Sequence, residues 1–197
     1  MYYEPTQPEV LAQHHALIKE TIEIGLENDE ITEEEAVAMI PNEPRAGRAY
    51  GLCKDHKSYQ KIPPFRPIIS GCGSNTDNIS KFVDHHANSL VRTLPSFLED
   101  TPHLLRCLED LQDQCGYIPD EVIPVSLDIV GLYTNIPSDE GIAYFTEALD
   151  TLTNKSVPTA FLITLLTLVL QCNVFKFDSS LFIQTYRTAM GPKCSFH

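Results

Sequence analysis

The chain has 197 residues, 43% of them apolar and 21% charged, with 14 Lys/Arg against 27 Asp/Glu for a net charge of −13. That length bounds it to one domain or a domain with an appendage, and the apolar content excludes a chain too polar to build a core. Six cysteines (positions 53, 72, 107, 115, 172 and 194) form no CxxC pair, and no apolar leader opens the chain, so the thiols read as reduced and the chain as intracellular rather than secreted.

A net charge of this sign would argue against a nucleic-acid protein, but the charge is unevenly spread. Residues 1–43 hold eleven Asp/Glu and one Lys. Residues 45–92 hold eight Lys/Arg against Asp55, Asp77 and Asp84, and from residue 93 onward thirteen acidic side chains face five basic ones. A basic island therefore lies between an acidic head and an acidic tail.

The spacing of Val10, Leu17, Ile18, Ile22 and Leu26 predicts an amphipathic helix from Glu9 to Leu26. A second, short helix follows from Thr32, capped through Glu35 and stopped at Pro41. Together they form an acidic helical region, residues 1–44. Tyr50–Cys53 and Pro67–Ser70 then read as two strands joined by a polar loop that carries Lys54, Lys57 and Lys61 and ends in Pro63, Pro64 and Arg66. Such a basic hairpin can offer a bidentate guanidinium and point-charge ammonium groups to phosphate oxygens, or it can be an ordinary solvated loop. Cys53 and His56 have a metal-like spacing, but no second Cys/His pair accompanies them.

Asn75 or Thr76 is placed to cap a helix with Ile79, Phe82, Val83, Leu90 and Val91 on one face. His85 and His86 are adjacent, point in different directions, and cannot chelate one ion together. A helix over His103–Cys115 has Leu104, Leu108, Leu111 and Cys115 along a stripe expected to pack on a sheet. Val122, Ile123, Val125 and Leu127 are β-prone and read as a short buried strand ending at Asp128. A buried carboxylate needs a partner, and no basic residue lies between Arg106 and Lys155. Asp128 therefore either caps the turn after the strand or coordinates a metal. Ser138 opens a helix with Ile142, Phe145, Leu149 and Leu152 on its buried face. Val157–Cys172 is the most hydrophobic stretch but short of the ~20 apolar residues that span a bilayer, so it reads as a buried helix with no membrane role. A hairpin follows, Val174–Phe177 with Leu181–Gln184 around Asp178–Ser180.

The segments YGLCKDHK, FRPIISGCGSNTDNISKF, SLDIVGLYTNIP and TAMGPKCS resemble, in that order, YGLPKIHK, LRPIVSSIGSPTYNLSKF, SFDVVSLFTNIP and TAMGSPLS of the reverse transcriptases of Penelope-like retroelements. The four blocks cover about Arg45 to Ser195, and the acidic helical pair fits the family's upstream region. The resemblance implies an α+β fold: an incomplete right-hand polymerase, with an N-terminal helical region over 1–44, fingers over 45–120 and a partial palm over 121–197. It implies RNA-directed DNA synthesis by two-metal phosphoryl transfer, with an RNA template, a DNA primer and deoxynucleoside triphosphates as partners and Mg²⁺ as cofactor. Asp128 would be the catalytic carboxylate, binding both ions with the backbone carbonyl of Ile129 on one of them. Lys54 or Lys57 and Arg66 would hold the triphosphate, Tyr133 would exclude a 2′-hydroxyl, and Met190 and Gly191 would lie beside the nascent base pair. The implied compartment is intracellular, the nucleus included.

The departures carry their own expectation. The family places an x-D-D hairpin soon after TAMG, and the sequence reaches His197 without one; Pro192, Lys193 and Phe196 stand where S-P-L and a final proline are expected, and Cys53 replaces a proline. The sequence thus reads as a fragment with half of the metal site, with magnesium binding doubtful and no synthesis expected of it alone. A non-catalytic nucleic-acid-binding remnant and a degenerate retroelement product stand beside that reading.

Overall fold

The computed structural model describes residues 3–54, 59, 61–116, 123, 125–129, 135–153 and 155–185. Over these the chain is a mixed α+β fold in which helices build one core and a five-stranded sheet builds a second, smaller one.

Helix α1 (Pro8–Glu27) begins with Pro8 in its first turn, where the missing N–H costs nothing. Its 3.6-residue periodicity places Ile18, Ile22 and Gly25 inward. Helix α2 (Glu33–Met39) follows a full capping box: the Glu35 N–H donates to Thr32 Oγ1 at 3.3 Å, and the Thr32 N–H donates to the Glu35 carboxylate at 2.8 Å. These bonds hold the Glu35 carboxyl below its usual range against a smaller opposing effect of burial. Both helices agree with the sequence expectation to within a residue or two.

Helix α3 (Asp77–Val91) starts after Thr76, whose side chain makes no capping bond. Asn75 is likewise no cap. It is 2% exposed, its Oδ1 accepts from the Arg45 N–H at 2.8 Å, and its Nδ2 donates to the Leu11 carbonyl at 3.0 Å. One amide thus ties α1 to the start of α3 and to the segment entering the sheet.

Helix α4 (Thr101–Cys115) is capped by Asp100 and ended by Gly116 at φ 76°. It has no buried residue, and Leu104, Leu105, Leu108 and Leu111 are 40–54% exposed. Here the structure corrects the sequence: the stripe is helical, as its spacing requires, but among the described residues nothing buries it. Helix α5 (Ser138–Asp150) follows Pro137 and gets no cap bond from Ser138. Helix α6 (Thr159–Gln171) is buried at Phe161, Leu162, Leu165, Leu166, Leu168 and Val169. It packs against α3 and α5 as the centre of the helical core, where each fully buried aliphatic side chain contributes about 1.5–3 kcal/mol relative to exposure. At its end Cys172 is buried, which pushes its thiol up to about 11. No described helix is long and apolar enough to cross a membrane.

The sheet has the order β1-β5-β4-β2-β3. Strands β2 (Gly47–Cys53) and β3 (Phe65–Ser70) form the expected hairpin over a longer register, from Arg48↔Ser70 to Cys53↔Phe65. Strands β4 (Val174–Phe177) and β5 (Ser180–Gln184) form the second, turning through Asp178 at φ 54°. The two hairpins join where β2 runs parallel to β4, and β1 (Tyr3–Pro5), which the sequence reading missed, adds to β5. One face of the sheet is apolar: Tyr3 meets Phe175 edge-on at 5.4 Å, Phe175 stacks on Phe182 at 5.8 Å, and Ile69 and Ala49 pack with them. The sheet therefore takes strands from all three stretches of sequence, 1–44, 45–120 and 121–197.

Among the described residues, the expected strand before Asp128 is not formed. Residues 125–129 carry no regular structure, and Val125, Leu127 and Ile129 are 76%, 91% and 65% exposed. The physical reason is pairing. A strand needs a neighbour for its backbone groups, and none of the five strands offers one to this segment.

Candidate functional site

The site residues divide by where the fold puts them. Arg66 stands opposite Leu52 in the β2–β3 ladder, and the Lys54 N–H donates to the Pro64 carbonyl at 2.9 Å, extending the ladder by one pair. Side chains directly opposite one another in an antiparallel pair share a face, and residues two apart along a strand share it too. Lys54 and Arg66 therefore lie on the same face at the free end of one hairpin. Arg66 is exposed and Lys54 half-buried, and neither makes an ion pair among the described residues.

The same face carries two further cations that sequence reasoning passed over. Arg48 is the register partner of Lys176 in the parallel β2–β4 pair, and both are exposed. Tyr50, 45% exposed, lies on that face between Arg48 and Leu52. The signal was present in the period of two along Gly47–Lys54, which puts Arg48, Tyr50 and Lys54 on one side. What sequence could not supply was the β2–β4 pairing, because its two partners lie more than 120 residues apart. Strands β2, β3, β4 and β5 contain no carboxylate, so this face is basic in a chain with almost twice as many acids as bases. Among the described residues, the sheet and its β4–β5 turn carry two acidic side chains, Asp178 in that turn and Glu4 on the outer strand β1.

Asp128 belongs to no strand of this sheet. Its segment is exposed, which corrects the expectation of a buried carboxylate at a strand end. Among the described residues no group of three or more His, Cys, Asp or Glu side chains is gathered to hold a metal ion. One exposed carboxylate and the Ile129 carbonyl offer too few oxygens for two octahedral ions. The described residues do not fit a two-metal centre. Lys57, Tyr133, Met190 and Gly191 lie outside the described residues.

A polar hollow of about 210 Å³ lies at the start of α3 between Pro41, Asn42, Arg45, Ser74 and Asp77. Its groups are satisfied internally: Asp77 accepts from the Gly73 N–H at 2.8 Å and pairs with Lys81 at 2.8 Å, and Arg45 pairs with Glu43. No family model, curated protein or solved structure matches the chain.

Proposed function

We propose that this chain is the fingers and the leading part of the palm of a retroelement reverse transcriptase of the Penelope-like kind. In the complete enzyme it would serve RNA-directed DNA synthesis on an RNA template and a DNA primer, with deoxynucleoside triphosphates and Mg²⁺. The observation that carries the reading is the β2–β3 hairpin: its register puts Lys54 and Arg66 side by side on one exposed face, in the two sequence blocks where the resemblance places triphosphate ligands. A guanidinium fork and an ammonium group at that spacing can each pair with a phosphate oxygen of a triphosphate, the guanidinium in bidentate fashion.

A second reading, a nucleic-acid-binding chain without synthesis of its own, is favoured by the four cations on one face, none of which forms an ion pair among the described residues. The test is saturable binding of a fluorescent deoxynucleoside triphosphate, with and without Mg²⁺. Arg66→Ala and Lys54→Ala are each expected to weaken it severalfold, while primer extension by the chain alone stays at background. Undiminished binding in both variants removes the triphosphate reading. Asp128-dependent extension would show that the metal ligands have been misplaced here.

A further inference from the structure

The two hairpins share only two register pairs, Gly47↔Phe175 and Arg48↔Lys176. Beyond them β2 and β3 continue as one arm to the Cys53↔Phe65 pair, and β4 and β5 as another to the Phe177↔Ser180 pair. Where the arms part lies a cleft of about 690 Å³, lined by Arg48 and Ala49 on one wall and by Lys176, Phe177 and Asp178 on the other. Two cations held as neighbours at such a fork repel each other, and neither finds a carboxylate among the described ion pairs. Like charges directly opposite in a sheet are destabilising, so the arrangement is best relieved by an anion lying between them.

We propose that this cleft is a binding track for the phosphodiester backbone of a single-stranded nucleic acid, with Arg48 and Lys176 on a phosphate and Tyr50 as the platform for a neighbouring base. The track goes past the triphosphate ligands Lys54 and Arg66 and rests on the reading that the chain takes nucleic acid. Three observations favour a nucleic acid over a small anion. The cations continue along the face: from Arg48 to the row of Leu52 and Arg66 is four residues, about 13 Å of extended strand. An exposed aromatic lies between them, the pattern of cationic groove and stacking surface that single strands use. Asp178 on the far wall opposes a compact anion, since it leaves the cleft with a net charge of only about +1, too little for a lone phosphate but tolerable to a chain of phosphates held at several points.

The test is fluorescence anisotropy of a labelled twelve-nucleotide single strand against the full chain over a range of salt. Wild type is expected to bind with log affinity falling linearly in log salt. The Arg48→Ala, Lys176→Ala double variant should weaken binding at low salt and reduce that slope by about 0.7, the contribution of the one phosphate the two side chains share. Tyr50→Ala should cost about fivefold or more without changing the slope. Asp178→Asn should tighten binding about twofold or more at low salt. A gain of affinity cannot come from misfolding, and asparagine tolerates the positive φ at that turn.

If wild type binds and the double variant binds equally well, the cleft is not the track, although the nucleic-acid reading stands. If wild type does not bind at all, both fail. Displacement by polyglutamate of equal charge at equal concentration, or indifference to Tyr50→Ala, would reduce the cleft to a general polyanion surface and overturn the proposal.

Discussion

His86 shows what burial does to a single side chain in this fold. Its Nε2 is enclosed without a hydrogen-bond partner among the described residues, and its ring leans on Phe82 at 4.6 Å and on His85 at 5.3 Å. Burial, and next the neighbouring His85, lower its pKa, while Glu35 on α2 opposes them. Burial lowers His14 as well. A group that takes up its proton less readily folded than unfolded makes stability rise with pH across its window. Stability is therefore complete above the ordinary imidazole value of ~6.5 and is lost as pH falls from there through the folded value. Glu35, held low by Thr32, acts in a separate window below the usual carboxylate range. Chemical denaturation at about pH 7.5 and about pH 5.5 should show a lower midpoint at the acid value, with His86→Gln narrowing the gap. An equal gap in the variant would mean that the pH dependence lies elsewhere.

At the scale of elements, the helical core depends on one close approach. Gly25 lies on the buried side of α1, and a Cβ there would come within 2.4 Å of the Phe161 ring on α6. In an exposed helix, Gly→Ala stabilises by about 1 kcal/mol. Here Gly25→Ala is expected to destabilise by about 1–3 kcal/mol through overpacking, and Phe161→Leu should restore much of the loss in the double variant. Additive losses would contradict direct contact. Elements of this kind were legible in the sequence because their causes are local: the Thr32–Glu35 capping box, the apolar period of α1 and α6, and the basic hairpin around Lys54 and Arg66. Elements whose formation depends on a distant partner were not. Among the described residues, the apolar run before Asp128 has the composition of a strand without a ladder to join, and the Leu104, Leu108, Leu111 stripe has the period of a packed helix without a surface beneath it. Strand β1, three residues long, owes its existence to β5, at the other end of the described chain.

For the molecule as a whole, Asn75 is the link between its two cores. Its side chain bonds backbone groups of Leu11 and Arg45, the first on helix α1 and the second on the path into β2. Asn75→Ala removes the side-chain partner of the Arg45 N–H and a second bond to the Leu11 carbonyl, both part-buried, and should cost about 1–3 kcal/mol. Thermal unfolding measured by helix and by aromatic signals would then separate into two transitions. A single unshifted transition would show that the cores are joined elsewhere. The candidate site divides in the same way. The pairing of Lys54 with Arg66 could be foreseen from one hairpin, whereas Arg48 with Lys176 needed the parallel joint between segments remote in sequence.

The proposed function turns on whether the exposed face of the β2–β3 hairpin holds a nucleotide triphosphate. Photocrosslinking an azido-substituted deoxynucleoside triphosphate to the intact chain, followed by peptide mapping, asks this directly. The account expects saturable label within residues 47–70, competed by unlabelled triphosphate and lost in the Lys54→Ala, Arg66→Ala double variant. Label confined to the helical core, or label in the hairpin that survives the double substitution, would contradict it.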